Sequence, residues 1–137
     1  MVVTFTGNVT VTGNPQAQVI SGTGCVGAGG VCQGGNNVNV SGAVVTIPLT
    51  NIANNQTINV RLNGVNSSFD APSADVTIPM TKLLGDTNAS GGVSSSDIAQ
   101  TKGRIGIALD TTIFRSDVNL SGGVNSSDVS IIKQNLP

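Results

Sequence analysis

A 12-residue pattern that occurs twice in the C-terminal part of the chain constrains its fold more than any other feature. The first copy lies in GDTNASGGVSSSD (residues 85–97) and the second in SDVNLSGGVNSSD (residues 116–128). Aligning residues 85–102 with residues 116–133 gives 10 identities in 18 positions. Such similarity at a fixed offset indicates a duplicated structural unit.

Each copy predicts a loop followed by a short helix, because serine pairs suited to helix capping precede partly apolar residues at three- and four-residue steps. The predicted caps are Ser95-Ser96 and Ser126-Ser127. The predicted faces are Ile98, Thr101, Lys102 and Ile105 in the first copy, and Val129, Ile131, Ile132 and Leu136 in the second. The intervening IGIALDTTIFRS predicts a short helix or an irregular loop.

In the N-terminal part, apolar residues recur at every second position instead of at three- and four-residue steps. Seven runs show this pattern: VVTFT (2–6), NVTVT (8–12), QAQVIS (16–21), NVNVS (37–41), AVVTIPL (43–49), QTINVRL (56–62) and ADVTIPM (74–80). Short alternating runs separated by Gly, Asn, Pro or Ser predict an antiparallel β-sandwich. The expected fold class is therefore mainly β with a small α part, with a sandwich over residues 1–82 and a loop–helix pair over residues 83–137.

The composition argues against several functional classes. The chain has no His, Glu, Trp or Tyr, and its net charge is −1. The commonest acid–base groups are missing, so catalysis is not expected. Without a basic patch or stacking aromatics, nucleic acid is not an expected partner, and no apolar run reaches the length of a membrane span.

Two cysteines lie in the glycine-rich segment GTGCVGAGGVC. Cys25 and Cys32 can form a small disulfide, which implies an oxidising, extracellular setting. The alternative is two unrelated thiols in a mobile loop. No signal peptide is visible, and the strand pattern begins directly after Met1. We therefore expect a protein of the cell surface or extracellular space whose natural start lies upstream of this chain.

Both loops have the spacing of a 12-residue calcium loop. Calcium is a hard cation that takes six to eight oxygen ligands, and a glycine at position 6 allows the sharp turn. The candidate ligands at positions 1, 3, 5, 7, 9 and 12 are Asp86, Asn88, Ser90, Gly92, Ser94 and Asp97 in the first loop, and Asp117, Asn119, Ser121, Gly123, Asn125 and Asp128 in the second. Val93 and Val124 at position 8 are predicted to form an apolar bridge between the loops.

Plain turns are the alternative, since Asp, Asn, Ser and Gly are also the commonest turn residues. A turn, however, does not require a carboxylate at position 12, and four of the seven acidic residues occupy positions 1 and 12. With only two carboxylates per loop, we expect up to two weakly bound Ca²⁺ ions, in the extracellular affinity range of about 10⁻⁴ to 10⁻³ M.

The two copies resemble the repeats of a type I dockerin over residues 85–136, including the closing FRSDVN…SSDV…K string. Dockerins are calcium-binding modules that dock onto cohesins. In that family, the residues before the position-12 Asp and a basic residue further along the helix often contact the cohesin. The resemblance therefore implies a partner surface of Ser95, Ser96, Lys102, Ser126, Ser127 and Lys133. The N-terminal part resembles, less specifically, the cohesin-like or immunoglobulin-like sandwiches found beside dockerins in bacterial surface proteins.

These expectations lead to a calcium-dependent structural protein of the bacterial surface or matrix. The dockerin-like half of one subunit would bind the sandwich of the next, forming a filament. The alternative is a dockerin-bearing C-terminal fragment that anchors a larger secreted protein to a separate cohesin scaffold. A carbohydrate-binding module is disfavoured by the lack of Trp and Tyr, and an enzyme is the weakest hypothesis.

Overall fold

A computed structural model describes residues 1–67 and 73–137 of the chain. They form two compact units, Met1–Thr81 and Lys82–Pro137, which divide one residue before the expected boundary. The first unit consists of antiparallel strands, and the second contains two α-helices and a short 3₁₀-helix. The predicted mainly β fold with a small α part is confirmed.

The described strands of the first unit fall into three antiparallel sheets. The strands are β1 (Val2–Thr4), β2 (Val9–Val11), β3 (Ala17–Ser21), β4 (Cys25–Ala28), β5 (Val31–Cys32), β6 (Asn39–Ser41), β7 (Val44–Thr46), β8 (Leu49–Thr50), β9 (Gln56–Ser67) and β10 (Ala74–Lys82). The sheet orders are β1-β7-β6, β5-β4-β8 and β10-β9-β2, with β3 also paired to β9. The finer expectation of a two-sheet sandwich stays a prediction.

The longest strand, β9, organises this unit. Strand β2 pairs with residues 65–67 of β9, and β3 pairs with residues 59–62, so the two short strands follow each other along one edge. The backbone passes very close to β9 between them, where a Cβ on Gly13 would overlap Asn63. Only glycine tolerates this approach.

The alternation predicted for β9 produces the apolar core. Ile58, Val60 and Leu62 point to one side of the strand and are fully buried, together with Val45 and Ile47 from other parts of the unit. This is the period-two burial expected of a strand with one face in the core. The seventh predicted run likewise forms β10, in which Val76, Ile78 and Met80 pack against the core.

A β-hairpin occupies the glycine-rich segment in which the sequence indicates only a loop. Strands β4 and β5 pair with each other, and β4 also pairs with β8. Within the hairpin the structure joins Cys25 to Cys32 by a disulfide. The buried side chain of Asn37 is bonded to the backbone of β3. Its amide oxygen accepts from Ala17 N (2.9 Å), and its amide nitrogen donates to Ala17 O (2.8 Å).

The second unit repeats a loop–helix element. Helix α1 spans Ser95–Gly103, helix α2 spans Ser126–Gln134, and the 3₁₀-helix spans Phe114–Ser116. The predicted caps are wrong by one residue, because Ser94 and Asn125 are the N-caps and the serine pairs form the first helical positions. Within the described residues, no helix has the length and apolar character needed to cross a membrane.

The helix faces also differ from the prediction. In α2, Val129 and Ile132 are buried as expected, whereas Leu136 lies beyond the helix and is 40% exposed. In the first repeat Thr101 is buried, but α1 ends at Gly103. Ile105 therefore lies outside α1 and is exposed, so the apolar face predicted for this helix is shorter than expected.

Candidate metal centre

The first residue of each loop is a buried aspartate around which the loop turns. Asp86 accepts from Ser90 N through Oδ1 (2.9 Å) and from Gly91 N through Oδ2 (3.0 Å). Gly91 has a φ of 90°, which is the left-handed conformation expected of the position-6 glycine. These bonds fold the loop over its own carboxylate.

The second loop repeats this arrangement closely. Asp117 accepts from Ser121 N and from Gly122 N, both at 2.9 Å, and Gly122 has a φ of 89°. In both loops the middle positions are also linked by hydrogen bonds. The Ser121 hydroxyl donates to Gly123 O at 3.2 Å, as the Ser90 hydroxyl donates to Gly92 O.

The last residue of each loop connects it to its helix. Asp97 and Asp128 are fully buried, and each is the third helical residue, whose carboxylate accepts from the backbone N–H of the N-cap residue. This reciprocal bonding is a capping box, which stabilises the helix N-terminus. In each repeat the same aspartate therefore ends the loop and caps the first turn of the helix.

Hydrogen bonding offsets the effect of burial on the carboxyl of Asp97. Burial raises the pKa of its carboxyl, but hydrogen bonds from Ser94, Asn88 and Thr87 outweigh burial, and the pKa lies below its ordinary value. The group is therefore ionised at neutral pH. It contributes a negative charge to the interior of the loop.

The donor set of each loop fits a hard cation. Every predicted ligand offers oxygen as a carboxylate, an amide, a hydroxyl or a carbonyl, which is the set that calcium prefers. In the described parts of the chain, no group of three or more His, Cys, Asp or Glu could hold a metal ion. Each loop has two carboxylates, so neutral oxygens would complete the coordination.

The buried carboxylates also lack cationic side chains as partners. Across residues 1–67 and 73–137 the ion pair present joins Arg61 to Asp75, at 3.9 Å, and none involves a loop aspartate. Buried charges are normally paired or bound to a metal. The loops therefore fit a divalent cation both in ligand type and in charge.

Sequence reasoning missed a strained position in each loop. Ala89 and Leu120, both at position 4, have φ values of 61° and 58°. A left-handed conformation costs a residue with a side chain roughly 1–2 kcal/mol. Leu120 is also 87% exposed. Nothing in the alternation or in the Asp and Gly spacing signals this conformation, because alanine and leucine are not residues that favour it.

Two arginines outside the predicted ligand set and partner surface link the repeats. Arg104, just after α1, donates to the hydroxyl of the fully buried Ser116 at 3.0 Å. Arg115 donates to the carbonyl of Asp86 at 3.4 Å. Both contacts join the first repeat to the segment that precedes the second loop. They depend on tertiary structure, so local spacing could not identify them.

The six residues of the predicted partner surface all lie on the helices and are exposed. Ser95, Ser96, Ser126 and Ser127 occupy the first turns, and Lys102 and Lys133 occupy the last turns. Residues seven positions apart lie on similar faces of a helix. Ser95 and Lys102 are therefore accessible from one side of α1, as are Ser126 and Lys133 on α2.

The family model of the dockerin type I domain matches residues 84–137. The C-terminal segment is therefore a type I dockerin domain, as its repeated loops predicted. Dockerin domains typically bind calcium and cohesins, and they typically act outside the cell or at its surface. Comparisons with the curated proteins and with the solved structures gave no match for this chain.

Proposed function

We propose that this protein is a calcium-dependent structural subunit of a bacterial surface or extracellular matrix. Its dockerin domain would bind the β unit of the next subunit and so assemble filaments. The observation that carries the proposal is the presence of a dockerin domain and a separate β unit in one chain. A docking module at one end and its receptor at the other give a head-to-tail contact, which forms open filaments unless it closes into a ring.

Calcium dependence follows from the double role of the position-12 aspartates. Asp97 and Asp128 close the loops and also form the capping boxes of α1 and α2. The serines of the partner surface lie directly before these aspartates. Bound calcium would supply positive charge to the two carboxylates of each loop. Calcium binding would therefore order the loops and, with them, the serines that contact the partner.

The proposed role is not enzymatic. The chain has no His and no Glu, and its acidic residues are concentrated in the two loops. The loop carboxylates are buried and bonded to backbone amides, which suits cation binding better than proton transfer to a substrate.

Filament formation is tested by light scattering and electron microscopy of the purified chain. Calcium would be raised from excess chelator to about 10 mM, above the weak-site range. We expect filaments that appear with calcium and dissolve in chelator. The double variant Asp117→Ala/Asp128→Ala should abolish the response. A wild-type chain that stays monomeric throughout would contradict self-assembly.

The dockerin match itself favours a second candidate, since dockerins typically bind separate cohesins. In this alternative the chain anchors a larger secreted protein to a scaffold. It predicts a calcium-dependent 1:1 complex with a type I cohesin and no filaments of the chain alone. Sedimentation of the chain with and without a purified cohesin distinguishes the two assemblies.

A further inference from the structure

The two calcium loops differ at their final carboxylate. Asp97 and Asp128 are equally buried, with no exposed surface. A carboxylate has about four acceptor sites, two on each oxygen. The acidic residue at position 12 of such a loop commonly binds calcium through both of its carboxylate oxygens. Each oxygen therefore needs one acceptor site that is free for the ion. The number of hydrogen bonds already made by each carboxylate therefore affects its capacity for calcium.

Asp97 uses its acceptor sites within the protein. Oδ1 accepts from Thr87 N at 2.8 Å and from Asn88 N at 3.1 Å. Oδ2 accepts from Ser94 N at 2.9 Å and from the Ser94 hydroxyl at 3.1 Å. The Thr87 hydroxyl makes an additional contact with Oδ1, at 3.4 Å. Both oxygens of Asp97 are thus fully engaged.

Asp128 makes fewer hydrogen bonds. Oδ1 accepts from Asn119 N at 3.2 Å, and Oδ2 accepts from Asn125 N at 2.9 Å. One acceptor site therefore remains on each oxygen. A buried charge with unused acceptor sites is costly unless a cation or another donor compensates it.

Two sequence differences between the repeats contribute to the contrast, beside the backbone N–H of Thr87, which bonds to Asp97 at 2.8 Å. At position 9, Ser94 directs its hydroxyl to the carboxylate, whereas the amide of Asn125 accepts from Ser127 N and turns its N–H groups toward other loop atoms. At position 2, Thr87 brings a hydroxyl near Asp97, whereas Val118 has none.

From these contacts we infer that the second loop is the tighter calcium site and fills first, while the first loop binds calcium only as Asp97 gives up hydrogen bonds. This inference rests on the proposed calcium dependence of the dockerin domain. The residues at position 9 (Ser94 and Asn125) and at position 2 (Thr87 and Val118) together set the order. We expect the second loop to bind about tenfold more tightly, which corresponds to about 1.4 kcal/mol.

The position-6 glycines allow each loop to be followed separately. Gly91 N–H and Gly122 N–H donate to the first aspartate of their own loops. Their amide signals in a ¹⁵N–¹H NMR titration of the full chain would report the two affinities. We expect Gly122 to reach its midpoint at about one tenth of the calcium concentration that Gly91 requires.

Exchange of the position-9 residues tests whether they contribute to the difference in calcium affinity between the loops. Ser94→Asn should lower the Gly91 midpoint, and Asn125→Ser should raise the Gly122 midpoint, each about threefold for one hydrogen bond removed or added. Thr111→Asn, at an exposed position between the repeats, is the matched control. Equal midpoints for the two glycines, or a lower midpoint for Gly91 than for Gly122, would overturn the inference and leave calcium dependence intact. If calcium moved neither amide signal, the inference and the calcium dependence would both be overturned.

Discussion

The β unit and the dockerin domain bury different kinds of residue. Of the 15 buried hydrophobic residues in the described chain, ten lie in the β unit. Of the eight buried polar or charged residues, seven lie in the dockerin domain, and four of these are the loop aspartates. Apolar burial is favourable without a ligand, whereas buried carboxylates require compensation. The β unit should therefore be stable by itself, and the dockerin domain should depend on calcium.

Of the changes considered, calcium should produce the largest difference in stability between the two units. At about 10 mM calcium, two sites with dissociation constants of about 10⁻⁴ to 10⁻³ M would stabilise the folded dockerin domain by about 3–5 kcal/mol. The β unit contains neither loop, so its unfolding should not change while the chain is dilute enough to stay monomeric. Assembly would stabilise it by mass action. Differential scanning calorimetry in chelator and in calcium would measure both transitions. A shift of the β-unit transition as large as that of the dockerin domain would break the comparison.

A cavity in the core of the β unit should instead destabilise the β unit and leave the dockerin domain unchanged. Ile58 is fully buried in β9, and Ile58→Ala should lower the free energy of unfolding of the β unit by about 3 kcal/mol. Calcium-dependent unfolding of the dockerin domain should be unchanged. Urea unfolding followed by NMR signals from each unit would measure the effect.

Ile20→Ala is the matched control for that cavity, because Ile20 is 44% exposed in β3. Its cost should be less than half that of Ile58→Ala, since less apolar surface leaves water on folding. Similar costs for the two variants would contradict the idea that a single apolar core stabilises this unit.

The features that sequence reasoning identified correctly depend on local spacing. The dockerin domain was identifiable because Asp, Asn and Gly recur at fixed positions in two loops. The core strand β9 was identifiable because Ile58, Val60 and Leu62 alternate with polar residues. In both cases the residues that carry the signal are close together in the chain.

The features it missed depend on contacts between distant residues or on degenerate local signals. Strands β4 and β5 lie in a glycine-rich segment and depend on pairing with each other and with β8. The predicted cap of α1 is one residue late because Ser94, Ser95 and Ser96 are all good capping residues. The left-handed conformation of Leu120 has no signal in the residue type.

A glycine at position 4 of the second loop should show a smaller effect, confined to the dockerin domain. Leu120→Gly should raise its free energy of unfolding by about 0.5–1 kcal/mol, because relief of the left-handed strain exceeds the entropy cost of glycine. Thr111→Gly, at an exposed position without a left-handed φ, should lower it by a similar amount. Thermal unfolding at constant calcium would measure both. Destabilisation by Leu120→Gly would show that its side chain, 87% exposed here, makes a needed contact.

The smallest expected effect concerns an aspartate outside the calcium loops. Asp110 accepts from the hydroxyl and the N–H of Thr112, both at 2.7 Å, and from Ile113 N at 3.0 Å. Chiefly because of the Thr112 bonds, the pKa of Asp110 lies below its ordinary value of 3.8. The ionised form therefore stabilises the folded state above pH 3.8, and this contribution is lost as the pH falls through the lowered pKa.

Asp110→Ala should accordingly lower the melting temperature of the dockerin domain by a constant amount at neutral and mildly acidic pH. The difference from wild type should shrink below pH 3.8, because the wild-type carboxyl then takes up a proton. Melting curves of both proteins in chelator measure that difference. Asp110 is exposed, so its charge is unlike the buried charges of the loops. If Asp110→Ala abolished the calcium response instead, the dependence of this domain on calcium could not be assigned to the four loop carboxylates alone.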